Sequence, residues 1–196
     1  MNARVTLPEL SEEDVVRGDC YRVLARLFAA APNEAFIAVL RDAASGSEQG
    51  LGEAWNALCK VGADGTAATL ADEYTALFVS IGEPKVVLYG SWYLTGSMMD
   101  FPLAQLRSDL ARLGFARVAE VRETEDHIAA LCEVMALLNA GDESKRAAQR
   151  EFFKRHLAPW YAKFCDRLAA EGSEFYRAAA GFARGFLDGE AELWAH

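Results

Sequence analysis

Glu123-Thr124-Glu125-Asp126-His127 runs without a break into Ile128-Ala129-Ala130-Leu131-Cys132-Glu133-Val134-Met135-Ala136-Leu137-Leu138. The stretch reads as a helix with an acidic mouth and an apolar body. Ile128, Leu131, Met135 and Leu138 recur at three- and four-residue spacing, which buries one helical face. The spacing predicts Thr124 as the N-cap, with Glu125 and Asp126 in the first turn against the positive end of the helix dipole. Asn139 and Gly141 close the helix, which holds a carboxylate and an imidazole at its rim.

The same helical period recurs on both sides. Ser11-Glu12-Glu13-Asp14 is a capped start, followed by Val16, Cys20, Tyr21, Leu24, Leu27 and Phe28 up to Pro32. Asn33 caps a short second helix, and Ser45 to Gly52 reads as a loop. Trp55, Leu58 and Cys59 mark a third helix, and Thr66 opens a fourth in which Leu70, Tyr74, Leu77 and Phe78 share a face. Pro102 suits the first turn of the next, which Gly114 closes. Asp142 and Glu143 open a helix through Phe152, Phe153, His156 and Leu157. Pro159 separates it from Trp160 to Ala170, and Glu174 to Leu187 forms the last. The expectation is an all-α fold of about eight to ten helices, one globular domain over residues 1–196.

Residues 80 to 101 break the period. Gly82, Pro84, Gly90 and Gly96 interrupt any helix, yet Val86, Val87, Leu88, Tyr89, Trp92, Tyr93 and Leu94 are apolar. A β-hairpin is possible there, but a lone hairpin is marginal, so a packed loop is the expected form.

Composition limits the function classes. The 196 residues carry 20 Lys plus Arg against 29 Asp plus Glu, a net charge of −9. That surface disfavours nucleic acid and anionic membrane, although solubility alone also accounts for it. The four cysteines are scattered through apolar helical patterns without a C-x-x-C pair, which suits a reducing cytoplasm. The first ten residues lack the apolar run of a signal peptide, and no stretch reaches the ~20 apolar residues of a membrane span.

Three histidines are few for metal or acid–base schemes. Thr124 and Phe153 stand where a Glu-x-x-His pattern needs glutamate before His127 and His156, so no di-iron signature is present. Glu123 and His127, four apart, fit an ion pair better than a metal site. There is no phosphate loop, dinucleotide fingerprint or nucleophile elbow, so neither cofactor nor metal is expected. For Asp126 and His127, taken alone, the plain alternatives are a dipole-favoured acid and a satisfied half-buried imidazole. For Tyr89, Trp92 and Tyr93, core packing competes with a binding surface. His156 is expected to pack at its helix end near Pro159.

Tyr74-Thr75-Ala76-Leu77-Phe78-Val79, the Gly/Pro loop, then Glu-x-Glu-Asp-His opening an apolar helix together resemble the TorD/DmsD/NarJ family of molybdoenzyme chaperones. The resemblance continues through Phe152-Phe153-Lys154-Arg155-His156-Leu157-Ala158-Pro159-Trp160 and from Phe175-Tyr176 to Phe186-Leu187. It departs where the family usually has proline, at Thr124 and across Val86, Val87 and Leu88. It implies a TorD-like helical, cytoplasmic protein without catalytic turnover. Its partner would be an immature molybdenum-cofactor subunit or its leader, often one with a twin-arginine signal, held until cofactor insertion and then assembly or export. The protein itself would be a monomer or a domain-swapped dimer.

Such a leader is basic, then apolar. The resemblance therefore assigns Leu77, Phe78, Tyr89, Trp92 and Tyr93 to an apolar groove. Glu123, Glu125, Asp126 and His127, with Glu120, become a polar rim that pairs with arginine. An imidazole titrating near neutrality would make the complex pH-sensitive. The competing readings are a small metal-dependent hydrolase using Glu123, Asp126 and His127, and a helical interaction module for an unrelated partner.

Overall fold

Ser11 caps the first helix, its side chain accepting from the Asp14 N–H while Glu12, Glu13 and Asp14 occupy the first turn. In this computed structural model the described residues are 10–43, 49–79, 83–117, 122–141 and 145–195. Among them lie ten α-helices and no β-strand. They are α1 (Glu12–Ala29), α2 (Glu34–Asp42), α3 (Leu51–Asp64), α4 (Ala67–Tyr74), α5 (Gly90–Thr95), α6 (Phe101–Leu113), α7 (Ile128–Asn139), α8 (Arg146–His156), α9 (Tyr161–Glu171) and α10 (Glu174–Leu193). A π-helical turn, Thr75–Val79, continues α4. The all-α expectation holds, and so do the caps at Ser11, Asn33 and Thr66.

α7 lies at the centre because it is apolar nearly all round, with Ile128, Ala129, Leu131, Cys132, Met135, Ala136 and Leu138 buried. It packs against α1 and α8, while α10 covers α9 and α3. α1 and α7 run antiparallel, for Asn139 near the end of α7 donates from Nδ2 to the Asp14 carbonyl at the start of α1, 2.6 Å away. Aromatic rings fill the space between the helices. Phe28 meets Phe164 and Phe78 edge-on, and Phe78 in turn meets Tyr176. Each fully buried ring or leucine contributes roughly 1.5–3 kcal/mol to burial.

α1 and α10 are joined by a buried ion pair. The Arg17 guanidinium donates to both carboxylate oxygens of Glu190, at 2.6 and 2.9 Å, and the Tyr21 hydroxyl donates to the same carboxylate at 2.8 Å. Trp194 Nε1 completes the set at 3.3 Å. All four cysteines are free. No helix among the described residues is long and apolar enough to cross a membrane.

The structure differs from expectation in four places. Val16 is not on the buried face but 58% exposed, because α1 turns Arg17, Gly18 and Tyr21 inward instead. Residues 90–95 are helical rather than loop, since Gly90 begins α5 and Gly96 ends it in the left-handed region at φ 78°. The last helix runs on to Leu193, because Glu190 is drawn in by Arg17. Asp142 and Glu143, expected to open α8, lie outside the described residues, and the described helix starts at Arg146.

Candidate functional site

The site begins where two segments distant in sequence cross. Val86 and Leu88 are buried while Val87 and Tyr89 are partly exposed, the alternation of an extended chain. That chain pairs once with the segment leading into α7. Ile128 N–H donates to the Leu88 carbonyl at 2.8 Å, and Gly90 N–H donates to the Asp126 carbonyl at 2.9 Å. Tyr89 and His127 are thereby opposed as an isolated antiparallel bridge, with their rings edge to face at 5.0 Å. The chain turns into α5 immediately afterwards, so the pairing stops after one rung.

Asp126 is turned inward. It is 4% exposed. Oδ2 accepts from Ser91 N–H at 2.9 Å and from Ser91 Oγ at 2.5 Å, and Oδ1 accepts from Thr124 Oγ1 at 2.6 Å. Both oxygens are therefore engaged by the protein itself. Asp126 is not a first-turn acid and Thr124 is not the N-cap, because α7 starts with the apolar period itself at Ile128, behind an N-cap at His127. Ser91 competes for the carboxylate and holds it in the loop.

His127 takes the capping role. Its backbone is extended (φ −63°, ψ 134°), and Nδ1 accepts from the Ala129 N–H at 3.2 Å. An accepting Nδ1 carries no proton, so the neutral ring carries its proton on Nε2. Burial pushes the imidazole down to about 4, against the opposing pull of the Asp126 charge, so the ring stays neutral at pH 7. The expectation of titration near neutrality is thus corrected. No group among the described residues accepts from Nε2, and His127 borders two cavities.

The first of these, about 390 Å³, is lined by Phe78, Tyr89, Trp92, Glu123 and His127 from the expected set. Tyr74, Met98 and Ala29 line it as well. Tyr89 donates its hydroxyl to Glu123, which fixes an acid at the rim. Trp92 is 43% exposed and Met98, 41% exposed, lines the cavity with it, while Met99 and Phe101, next along the chain, are exposed too. Met99 sits at φ 56°, a conformation rarely taken by a residue with a Cβ, in the connection between α5 and α6.

The second cavity, about 560 Å³, lies on the α6 side of the same loop and shares Glu123, His127 and Ala29 with the first. Glu125 lines it. Burial opposes its charge, but the Arg107 guanidinium at 2.9 Å holds the carboxyl below its ordinary value.

Three expected residues stand elsewhere. Leu77 is 3% exposed and borders neither cavity. Tyr93 stacks on Trp160 at 5.3 Å and donates to the Val87 carbonyl at 2.9 Å, so it is a strut behind the groove. Asp126 fastens the loop from within. Glu120 lies outside the described residues. The sequence reading missed Ser91 and Met98. Ser91 gives no periodic signal, and the exposed methionines only gain meaning beside Trp92.

Two other features lie apart from this cleft. A larger cavity, about 620 Å³, lies between α1, α2, α3 and α10 around Trp55 and Phe182, away from His127. His156, 8% exposed, meets the Asp109 carboxylate at 2.9 Å, with Arg155 on the same oxygen at 2.7 Å. It packs at the end of α8, and Trp160 Nε1 donates to its carbonyl. No group of three or more His, Cys, Asp or Glu among the described residues is placed to hold a metal ion.

A family model described as nitrate reductase delta subunit matches residues 45–166, more than half of the chain and the whole of the loop, α7 and groove-bearing segments. A comparison with curated proteins finds no match. Among solved structures, a candidate redox enzyme maturation protein from Archaeoglobus fulgidus is similar, with a TM-score of 0.60 at 17% identity. The alignment covers 95% of this chain and 99% of that one, and at such identity the likeness is one of fold. With its ten described helices and the matched central segment, the chain belongs to the nitrate reductase delta subunit family, within the TorD/DmsD/NarJ group of redox-enzyme maturation chaperones.

Proposed function

We propose that the cleft at His127 holds the leader or N-terminal segment of a molybdoenzyme catalytic subunit in the cytoplasm until the molybdenum cofactor is inserted. The observation that carries this reading is an imidazole whose Nε2–H meets no acceptor among the described residues, in a cavity lined by apolar Phe78, Trp92 and Met98 and by the acids Glu83 and Glu123. A basic-then-apolar segment would meet each part in turn. Its arginines would pair with Glu123 and with neighbouring carboxylates such as Glu83. Its apolar body would lie on Trp92, Met98 and Phe78. The Nε2–H would donate to a backbone carbonyl of the bound segment. Leu77, Tyr93 and Asp126 would act through the residues they support.

The hydrolase reading uses Glu123, Asp126 and His127, and Glu123 is engaged by the Tyr89 hydroxyl. Ser91 N–H, Ser91 Oγ and Thr124 Oγ1 take three of the roughly four acceptor sites of the Asp126 carboxylate, and Nδ1 of His127 accepts from Ala129, an arrangement that favours a structural role for this pair over that of base or ligand.

Calorimetric titration with a synthetic peptide, an arginine pair followed by an apolar body, tests the proposal. Trp92→Ala and Glu123→Gln should each weaken binding, about tenfold for the tryptophan and by a few-fold, salt-dependently, for the acid. Unchanged affinity in both would remove the site. Recovery of a molybdoenzyme subunit with the tagged protein from its native cell would identify the client.

A further inference from the structure

One acid at the second cavity is already answered by an arginine of the chain itself. Glu123 and Glu125 both line the cavity of about 560 Å³ that His127 borders, and Glu133 joins them. Glu123 is exposed and carries the Tyr89 hydroxyl, an uncharged donor. Glu125 is different. Its side chain is 15% exposed and carries a guanidinium, for Arg107 reaches across from α6. Nε of Arg107 donates at 3.0 Å and Nη2 stands 2.9 Å away, both on the same oxygen, Oε2. No other side chain among the described residues donates to this carboxylate.

The strongest arginine–carboxylate pairs are bidentate, with two parallel N–H···O bonds to two oxygens. This pair is side-on, and the Arg107 side chain is 50% exposed. A pair half in solvent contributes little and exchanges readily. An incoming guanidinium that took both Glu125 oxygens would make the better contact. Arg117, the other cation lining the cavity, donates to the Arg122 carbonyl. Two arginines therefore stand among three acids, and the cavity keeps a negative balance that favours a cationic guest.

We propose that Arg107 is an internal stand-in for a client arginine. In the free protein it caps Glu125, and a segment with two arginines in succession displaces it, one guanidinium on Glu123 and the other on Glu125. This assignment rests on the reading of the His127 cleft as the client site. It makes Glu125 the residue that tells an arginine pair from a single arginine, since a lone arginine is served by exposed Glu123 and leaves Arg107 in place. The cap also discriminates against unrelated cations, because any newcomer must first break the Arg107 contact.

The test is a double-mutant cycle on the full chain, with the same synthetic peptide carrying a fluorophore. Arg107→Gln should tighten binding of the arginine-pair peptide about threefold, the scale of a partly exposed ion pair set free. Glu125→Gln should change affinity little in the parent but weaken it about threefold in the Arg107→Gln background. With either arginine of the peptide replaced by glutamine, Arg107→Gln should bind as the parent does. Circular dichroism and melting should match the parent, since Arg107 is half in solvent and glutamine keeps the volume of Glu125. If Glu125→Gln costs the same with and without Arg107 while Trp92→Ala loses affinity, the cap falls and the cleft reading stands. Weaker binding to Arg107→Gln, or an equal gain for pair and single-arginine peptides, would also overturn the cap. If no variant changes affinity, Trp92→Ala included, both readings fall.

Discussion

Ser91 and Asp126, 35 residues apart in sequence, are joined by two hydrogen bonds to one carboxylate oxygen, from the serine N–H at 2.9 Å and its hydroxyl at 2.5 Å. This contact ties the first turn of α5 to the loop before α7. Tyr89 and Trp92 are thereby held on one side of the cleft, and Glu123 and His127 on the other.

Asp126→Ala should therefore cost stability before it costs recognition. It leaves Ser91 N–H, Ser91 Oγ and Thr124 Oγ1 without their acceptor in a buried site. The expected loss is about 2–4 kcal/mol, at ~1–3 kcal/mol for each strongly orphaned group with partial relaxation. Urea denaturation at neutral pH measures it, and a midpoint equal to the parent's would show that the carboxylate holds nothing.

His127 gives a pH dependence of definite sign. In the unfolded chain the imidazole binds its proton near 6.5, whereas in the folded chain burial delays this to about 4. The unfolded state thus holds more protons between those values. Stability is full above pH 6.5 and falls as the pH drops toward 4, by roughly 3 kcal/mol from this group. His127→Asn keeps an acceptor for the Ala129 N–H and removes the titration. Its stability should fall less than the parent's between pH 7 and pH 4. His156, also held low by burial despite Asp109, keeps a residual slope in both proteins. Parallel pH curves for parent and variant would contradict the assignment.

Gly90→Ala tests the crossing from the other side. A Cβ there would stand 2.9 Å from Trp160 Nε1 and 3.0 Å from its Cε2. The helix propensity of alanine favours the change by about 0.5–1 kcal/mol, but overpacking against a buried indole costs roughly 1–3 kcal/mol. The net result should be a lower melting temperature and altered indole fluorescence, because Trp160 is pushed from its bond to the His156 carbonyl. A raised melting temperature would mean that the ring gives way freely.

Glu190→Ala should be a damaging single change, about 3 kcal/mol, since it takes the two-oxygen carboxylate from the buried Arg17 guanidinium and leaves it Asp14 at 2.9 Å and Gln149 at 3.3 Å. The triple change Arg17→Met/Tyr21→Phe/Glu190→Leu removes the charges and the hydroxyl together and should recover most of that loss. Equilibrium unfolding of the two variants separates lost attraction from stranded charge. If the triple variant is as unstable as the single, the polar cluster contributes net stability.

The helices were legible because their periods and caps are local. Ser11, Asn33 and Thr66 each announce a helix within four residues, and the apolar face of α7 repeats without interruption. The neighbourhood of the site was legible too, for Tyr89, Trp92, Glu123 and His127 do come together. What the sequence does not display is direction. Asp126 looks like a dipole-favoured acid until Ser91 is brought beside it, and that meeting depends on a backbone pairing between residues 88–90 and 126–128. Tyr93 and Trp92 are adjacent and equally aromatic, yet α5 sends one to Trp160 and leaves the other 43% exposed. Only the helical form of residues 90–95 separates them.

If the cleft takes a guest as proposed, the imidazole that borders both cavities would make its arrival audible inside the protein. Once an acceptor draws on Nε2, electron density shifts through the ring toward Nδ1, and the grip on the Ala129 amide tightens. The opening turn of the central helix becomes a relay: a guest outside should slow hydrogen exchange at that amide, even though no guest atom touches it.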